Sequence, residues 1–190
     1  NVRCLTDSDK SKHGKNLLGV KIVGGDEILE DFNPREFDLA MGIAVGSDGN
    51  LVAHLKKRYE IFRGLVGKGY SFPPLIHPNA WVAKESKIGT GVQVISGAII
   101  QPGCSIGDLS IINTKASIDH DTLVGVASHI APGVTGGGGV RIGATSHIGI
   151  GATLLPNIEI GEESMVAAGA LVIHDLPKKS RVAGIPAKGM

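Results

Sequence analysis

Aromatic residues and cysteines are scarce in this chain of 190 residues. Aromatic side chains make up 4% of it, and the two cysteines, Cys4 and Cys104, are too few for a disulfide framework. Such a chain fits a reducing compartment, so a cytoplasmic location is expected. Nineteen basic and eighteen acidic residues leave a net charge of +1, so a nucleic-acid partner is not expected. No apolar run approaches the ~18 residues of a membrane-spanning helix, so membrane insertion is not expected either.

Glycine and regularly spaced aliphatic residues are abundant instead. In steps of six from Ile76 to Val172, sixteen of seventeen positions are Ile, Leu or Val, and the exception is Gly136. A period of six fits neither a helix nor an alternating strand. It predicts a coil with three short strands in each 18-residue turn and one inward aliphatic residue on each face. Successive turns then stack as parallel strands about 4.8 Å apart.

The first 75 residues follow a different pattern. Strands are predicted over Val2–Thr6, Lys21–Val23 and Phe37–Val45. Apolar residues at helical spacing predict a helix over Asn50–Lys68. The helix has basic residues on its other faces: Lys56, Lys57, Arg58 and Arg63. Alternating strands and helices indicate a small parallel α/β sheet.

The chain is therefore predicted to have three parts. Residues 1–75 form a partial Rossmann-like subdomain, residues 76–175 a parallel β-helix, and residues 176–190 a tail. A nucleotide-binding unit of the Rossmann type usually opens with a strand and a glycine-rich turn. The subdomain lacks that first strand, and we expect about 25 further residues ahead of it, the usual size of a βα unit.

Two histidines of the coil are candidates for chemistry. His120 lies two positions after an inward residue, so it is expected to project outward between Asp119 and Asp121. Carboxylates on both sides can fix its tautomer and raise its basicity, which suits a general base. The alternative is a solvated surface histidine. His129 could donate to a thioester or an oxyanion, or it could be a surface histidine stacked on His147.

Two other features each have two interpretations. The consecutive glycines 136–139 allow a corner to deviate and the backbone to approach a ligand, or they form a plain flexible turn. Asp7 follows a predicted strand, where an acidic residue can bind a ribose hydroxyl, or it is an ordinary turn residue.

Several motifs resemble those of one family. The six-residue repeat is similar to that of the left-handed parallel β-helix acyltransferases. The run INTKASIDHD followed by ASHIAPG resembles the sialic-acid O-acetyltransferase family, which includes bacterial enzymes that acetylate nucleotide-linked 4-amino-6-deoxysugars. The segments LLPNIEIG and VAGIPAKGM fit the wider hexapeptide acyltransferase pattern, and DSDKSKHGKNLLGVKIVGG resembles the N-terminal sugar-nucleotide domain of the family. The resemblance thus covers nearly the whole chain.

The resemblance implies a left-handed coil, a homotrimer with active sites between neighbouring coils, acetyl-CoA as co-substrate, and no metal. It implies that His120 is the general base and that Asp121 assists it. It also implies binding residues: His129, Ile150 and Ala168 for acetyl-CoA, Asn113 on the active-site strand, and Thr6, Asp7 and Gly46 at the edge of the sugar-nucleotide site.

The expected function is direct transfer of an acetyl group from acetyl-CoA to a nucleotide-linked amino sugar. A sialic-acid or other small-molecule O-acetyltransferase is an alternative, because the same base can serve a hydroxyl group. Another alternative is a zinc enzyme similar to the γ-type carbonic anhydrases, whose site needs three imidazoles. Those enzymes have two histidines five residues apart, but Val124 and Val134 stand five residues from His129. A non-catalytic trimeric scaffold is the last alternative.

Overall fold

The repeat region folds as a three-sided parallel β-helix. The structure is a computed structural model that describes residues 2–43, 46 and 49–190. Each 18-residue turn gives one short strand to each of three faces, and the strands within a face pair in parallel. An additional antiparallel strand ends face 1.

The strands of the β-helix are two or three residues long. Face 1 contains Leu75–Ile76, Gln93–Val94, Ile111–Ile112, His129–Ile130, His147–Ile148, Met165–Val166, Arg181–Ala183 and the antiparallel Lys188–Gly189. Face 2 contains Trp81–Val82, Ile99–Ile100, Ser117–Ile118, Thr135–Gly136, Thr153–Leu154 and Leu171–Val172. Face 3 contains Lys87–Ile88, Ser105–Ile106, Leu123–Val124, Arg141–Ile142 and Glu159–Ile160.

The strand register places each residue beside the residue 18 positions away. Ile112 pairs with Val94 on one side and with Ile130 on the other, and the same step repeats along every face. The exception is the last parallel pair of face 1, in which Met165 pairs with Arg181 and Val166 with Val182, 16 positions away. The second residue of each strand points inward, and the aliphatic side chains at these positions from Val94 to Val172 are at most 3% exposed. Burying one such side chain contributes about 1.5–3 kcal/mol. The predicted period of six is thus confirmed as the source of the core.

A residue with a positive φ angle closes each corner of the β-helix. Such residues recur every six positions from Gly91 to Gly169. Glycine adopts this left-handed backbone conformation without steric cost. Asp121 and Asn157, with φ angles of 58° and 61°, are of the larger residue types that tolerate it best.

Helix α1 (Leu51–Gly67) confirms the helix predicted over Asn50–Lys68, and it packs against the β-helix. Its buried residues are Val52, Leu55, Arg58 and Phe62. Phe62 packs edge-on against Phe72 with ring centroids 5.0 Å apart, and Lys56 forms a 2.7 Å ion pair with Glu163 at a corner of the β-helix. The sequence pattern placed Arg58 on an exposed face, and that was wrong, because its side chain is fully buried.

Residues 1–38 form a separate compact unit. Its strands are β1 (Leu5–Thr6), β2 (Asn16–Leu17) and β3 (Val20–Gly24), and its 3₁₀ helices span Lys10–Lys12 and Asp26–Asp31. β1 is parallel to β3, but β2 is antiparallel to it. The sheet predicted as parallel is therefore mixed. Leu18 and Gly19 have φ angles of 49° and 81°, which turn the chain back into a hairpin.

The predicted strand over Phe37–Val45 is not present in its described part. Residues 37–43 contain no strand, and Ala44 and Val45 lie outside the described residues. The Leu39 N–H donates to the Ser71 carbonyl at 2.9 Å, and the Met41 carbonyl accepts from the Gln93 side chain at 2.8 Å. The backbone of this segment thus bonds to single groups in other parts of the chain and not to a neighbouring strand. An apolar run does not distinguish the two cases, so the predicted strand was wrong.

Residues 39–190 form the second compact unit, which contains α1 and the β-helix. The domain limits expected from the sequence, 1–75, 76–175 and 176–190, follow changes in sequence pattern and stay a prediction. Within the described ranges, no helix combines the length and the apolar character needed to cross a bilayer.

The core packing predicts a large difference between inward and outward substitutions on face 3. Ile106 is 2% exposed, whereas Leu123 on the next turn is 37% exposed. We expect Ile106→Ala to lower the free energy of unfolding by about 2–5 kcal/mol, because the narrow core cannot collapse around the cavity. Leu123→Ala should cost less than about 1 kcal/mol. Urea unfolding followed by circular dichroism measures both, and equal losses would contradict this description of the core.

Candidate active site

His120 lies at the corner between faces 2 and 3. The strand Ser117–Ile118 ends just before it, and Leu123–Val124 begins just after it. As predicted, its side chain points outward, and it is 62% exposed. A strand end carried by a stacked coil holds the backbone of His120 fixed while leaving the imidazole open to a ligand.

The two aspartates beside His120 have different roles. Asp119 Oδ1 accepts a hydrogen bond from the His120 backbone N–H at 2.8 Å. Asp121 Oδ2 lies 2.9 Å from His120 Nδ1. An ionised carboxylate only accepts hydrogen bonds, so Nδ1 carries the proton and the lone pair lies on Nε2. The exposed Nε2 is therefore the atom that can take a proton from a substrate.

The surroundings of His120 make its imidazole more basic. The hydrogen bond that His120 Nδ1 donates to Asp121, followed by the negative charge of Asp119, raises the pKa of His120 above its ordinary value of 6.5. Both carboxylates favour the imidazolium that forms when Nε2 accepts a proton. This electrostatic arrangement suits a general base.

His129 occupies face 1 and has the opposite environment. Its Nε2 lies 3.0 Å from Asn113 Nδ2. The Thr114 N–H donates to Asn113 Oδ1 at 2.7 Å, which orients the amide so that Nδ2 donates to His129. His129 Nε2 is then the acceptor, and Nδ1 carries the hydrogen. Nδ1 is buried and has no hydrogen-bond partner in the described part of the molecule.

Burial keeps His129 neutral. Desolvation, followed by the neighbouring His147 and the positive charge of Arg58, lowers the pKa of His129 to about 3. The rings of His129 and His147 meet edge to face with centroids 5.0 Å apart, in the predicted 18-residue register. Burial also lowers the pKa of His147. A neutral, buried imidazole can donate a hydrogen bond, but it is a poor base at physiological pH.

Arg58 is a polar group that the sequence analysis did not assign to this region. Its Nε donates to the Ile43 carbonyl at 2.7 Å, and burial lowers the pKa of its guanidinium to about 10. Among the described residues, its two terminal nitrogens have no hydrogen-bond partner. The sequence did indicate the burial of Arg58. It follows Leu55 by three residues and precedes Phe62 by four, which is the spacing of one helix face.

The proposed cofactor residues Ile150 and Ala168 occupy the same corner position on successive turns. Ile150 is 61% exposed, and Ala168 is also exposed. The Gly169 N–H donates to the Ile150 carbonyl at 2.8 Å, which fixes the two turns together. This corner joins face 1 to face 2. It presents two adjacent residues to solvent, one apolar and one small.

The proposed sugar-nucleotide residues Thr6 and Asp7 lie in the N-terminal unit. Thr6 Oγ1 donates to Asp26 Oδ1 at 2.6 Å. Asp7 follows β1, as the sequence predicted, and it accepts hydrogen bonds from the Asp9 N–H at 2.8 Å and from Lys12 Nζ at 2.9 Å. These bonds lower the pKa of Asp7, so it is ionised and can accept a further hydroxyl.

Gly46, the third proposed sugar-nucleotide residue, belongs to the second unit and lies against His54 of α1. A Cβ built on Gly46 would come within 2.5 Å of His54 Nε2. A side chain at this position would therefore require the His54 ring to move. Among the described residues of one chain, no group of three His, Cys, Asp or Glu side chains could hold a metal ion.

The β-helix and its acid-flanked corner histidine define the class of protein as a hexapeptide-repeat acyltransferase. No family model matches the chain. Solved structures do match it. The acetyltransferase domain of PglB from Neisseria gonorrhoeae is 32% identical, with a TM-score of 0.88 over 99% of this chain and 87% of that one. PerB from Caulobacter crescentus is 34% identical, with a TM-score of 0.84 over 98% of this chain and 84% of that one.

These comparisons establish the family. The chain belongs to the hexapeptide-repeat sugar acetyltransferases, and it is an acetyltransferase with a left-handed β-helix. The PglB domain has been solved with acetyl coenzyme A, and PerB, a perosamine N-acetyltransferase, with CoA and GDP-perosamine. WeeI from Acinetobacter baumannii is 21% identical with a TM-score of 0.79, and it supports the fold alone.

The carboxylates around His120 predict a graded change in its titration. We expect Asp121→Asn to lower the pKa of His120 most, because this variant removes the charge that the imidazole contacts. Asp119→Asn should lower it less, because that side chain acts through space. NMR titration of the His120 ring measures the pKa directly. A base must be unprotonated, so the acidic limb of the pH–rate profile should move to lower pH in the same order. An unchanged pKa in Asp121→Asn would contradict the proton assignment.

Proposed function

We propose that the chain transfers the acetyl group of acetyl-CoA directly to the amine of a nucleotide-linked amino sugar, with His120 as general base. The observation that carries this proposal is the exposed imidazole whose Nδ1 is bound by Asp121 at 2.9 Å. The relatives that bind acetyl-CoA, and CoA with GDP-perosamine, support the choice of both substrates. A sugar hydroxyl would need the same base, so sugar O-acetylation is the second candidate.

The reaction balances with groups that the chain and its substrates supply. The amine nitrogen attacks the thioester carbon, and His120 Nε2 removes a proton from that nitrogen. The C–S bond then breaks, an amide remains on the sugar, and the CoA sulfur leaves and takes up a proton. His120 can return its proton to that sulfur, so the enzyme ends in its starting state.

The cofactor residues follow from the same proposal. Ile150 and Ala168 would flank acetyl-CoA through their exposed corner. His129 would contact the thioester as a neutral donor. The hydrogen of His129 is on the buried Nδ1, and Nε2 accepts from Asn113. Donation to the thioester therefore requires the ring to turn, or the hydrogen to move to Nε2 when the bond from Asn113 opens. Asn113 thus orients His129 and belongs to the same site.

The sugar-nucleotide residues complete the proposal. Asp7 would accept a ribose hydroxyl through its ionised carboxylate, and Thr6 beside it would border the same site. Gly46 would lie at the edge of the nucleotide, where its lack of a side chain leaves room beside His54. A cytoplasmic location follows from the need for acetyl-CoA and agrees with two free cysteines.

A homotrimer is supported by a difference in charge between the outward positions of faces 2 and 3. The outward positions of face 2 carry no charge: Trp81, Ile99, Ser117, Thr135, Thr153 and Leu171. Face 3 carries Lys87, Arg141 and Glu159 at the equivalent positions. Trp81 and Ile99 are neighbours in register and are 51% and 38% exposed. Packing between copies through face 2 would bury them and would bring His120 to a subunit boundary.

Removing the base tests the mechanism. We expect His120→Ala to lower kcat by about 10²–10⁴-fold, the usual contribution of proton transfer. Acetyl-CoA binding, measured by calorimetry, should stay close to that of the wild type. The control is His77→Ala, which removes an exposed histidine from a different corner of the β-helix. A wild-type kcat in His120→Ala would refute the proposed base.

The acceptor is tested separately with a panel of nucleotide-linked sugars. Each is incubated with acetyl-CoA, and the product is identified by mass spectrometry. Acetylation of an amino sugar, but not of the matching compound with a hydroxyl in place of the amine, supports the proposal. The reverse selectivity would establish O-acetylation, and CoA release without any acetylated sugar would contradict a sugar acceptor.

The proposed trimer predicts different effects for charges on faces 2 and 3. Trp81→Asp should reduce the mass in solution from trimer to monomer, because it places a charge in the apolar contact. Lys87→Asp introduces the same side chain at an outward position of face 3 and should leave the trimer intact. Light scattering coupled to size exclusion measures both masses. A trimer that survives Trp81→Asp but dissociates in Lys87→Asp would assign the interface to the other face.

A further inference from the structure

The glycine run at residues 136–139 passes directly beside His120. Gly138 lies one 18-residue turn beyond His120, and the Gly139 N–H donates to the His120 carbonyl at 2.8 Å. A Cβ built on Gly138 would lie 2.5 Å from His120 Nε2, 2.6 Å from Cε1 and 3.1 Å from Cδ2. The His120 imidazole therefore occupies the space that any side chain at residue 138 would need.

The glycine at residue 138 is not required by its backbone. It has no positive φ angle, unlike Gly139, whose φ is 70°. The equivalent positions one turn on either side of the pair, 102 and 156, are both proline, so this corner accepts the φ angle of an ordinary L-residue. Space for the His120 ring, not flexibility, explains Gly138. This role of Gly138 differs from both interpretations of the glycine run that the sequence offered.

We propose that Gly138 is a positioning residue that sets the orientation of the His120 imidazole. The bare α-carbon lets the ring rest on the next turn while Nδ1 bonds to Asp121. The unequal distances from the Cβ position to Cε1 and Cδ2 place it off the axis of the Nε2 lone pair. Gly138 thus supports the ring and leaves the basic nitrogen open. This inference rests on the proposed role of His120 as general base.

A methyl group at residue 138 would move the His120 imidazole and leave the backbone of the β-helix in place. The side chain of His120 is 62% exposed, so the imidazole can turn away from the new methyl toward solvent. That rotation breaks the 2.9 Å contact with Asp121, which holds the tautomer and raises the basicity. We therefore expect a lower kcat and a lower pKa of His120, rather than a loss of the fold.

Gly136 offers a matched control within the same run. Its Cβ position points into the core, where the nearest atom within 4 Å is the Ser117 carbonyl oxygen at 3.9 Å. The same position carries Ile118 on the preceding turn and Leu154 on the following turn. Gly136→Ala thus adds the same methyl group beside no functional residue.

The experiment compares Gly138→Ala with Gly136→Ala. We expect Gly138→Ala to lower kcat by about 10²-fold, as expected for a displaced catalytic group, with an unchanged KM for acetyl-CoA. NMR titration should show the pKa of His120 falling toward its ordinary value, and this readout does not depend on activity. Gly136→Ala should keep the wild-type kcat and pKa. A wild-type kcat and pKa in Gly138→Ala, or equal losses in both variants, would overturn the proposal.

A double-mutant cycle covers the case in which Gly138→Ala folds poorly. If the methyl group clashes only with the imidazole, its effect on the melting temperature should disappear in the His120→Ala background. A destabilisation that persists without the ring would mean a clash with the backbone and would overturn the positioning role. Full activity of His120→Ala alone would instead refute the proposed function, while the titration of His120 in Gly138→Ala would still test the contact.

Discussion

The 18-residue register is the constraint on which the rest of the structure depends. Each interior strand of the β-helix pairs with the strands one turn before and one turn after it, so a side chain within the repeat has fixed neighbours 18 positions away in the sequence. The inward columns of this register form the dry core. The outward and corner columns carry the candidate site residues, since they bring His120 beside Gly138, His129 beside His147 and Ile150 beside Ala168.

The two histidines of the site differ because they belong to different columns. His120 lies at an open corner, where carboxylates raise its pKa, whereas His129 lies under α1, where burial and the Arg58 guanidinium lower its pKa. Only nine residues separate them in the sequence. The fold therefore makes one imidazole basic, as the proposed proton transfer requires, and keeps the other neutral.

The periodic part of the molecule could be predicted from the sequence, and the rest only in outline. The spacing of six predicted the strands, the inward residues and the outward direction of His120, because repeated geometry turns sequence position into spatial position. It did not predict the β2–β3 hairpin, the loss of the strand over residues 37–43, or the burial of Arg58. Those features depend on single tertiary contacts, such as the bond from Gln93 to the Met41 carbonyl, that no period encodes.

The corner at residue 121 shows how one residue meets a backbone requirement and a chemical one. Every corner needs a left-handed residue, and glycine fills the equivalent positions one turn away, at 103 and 139. A glycine at 121 would satisfy the backbone but supply no carboxylate. Glutamate occupies another corner at Glu163, with a φ angle of 59°, but aspartate is among the residues that adopt this conformation most often, because its short side chain can hydrogen-bond locally. Aspartate satisfies both demands, so the same turn that closes the β-helix also orients the base.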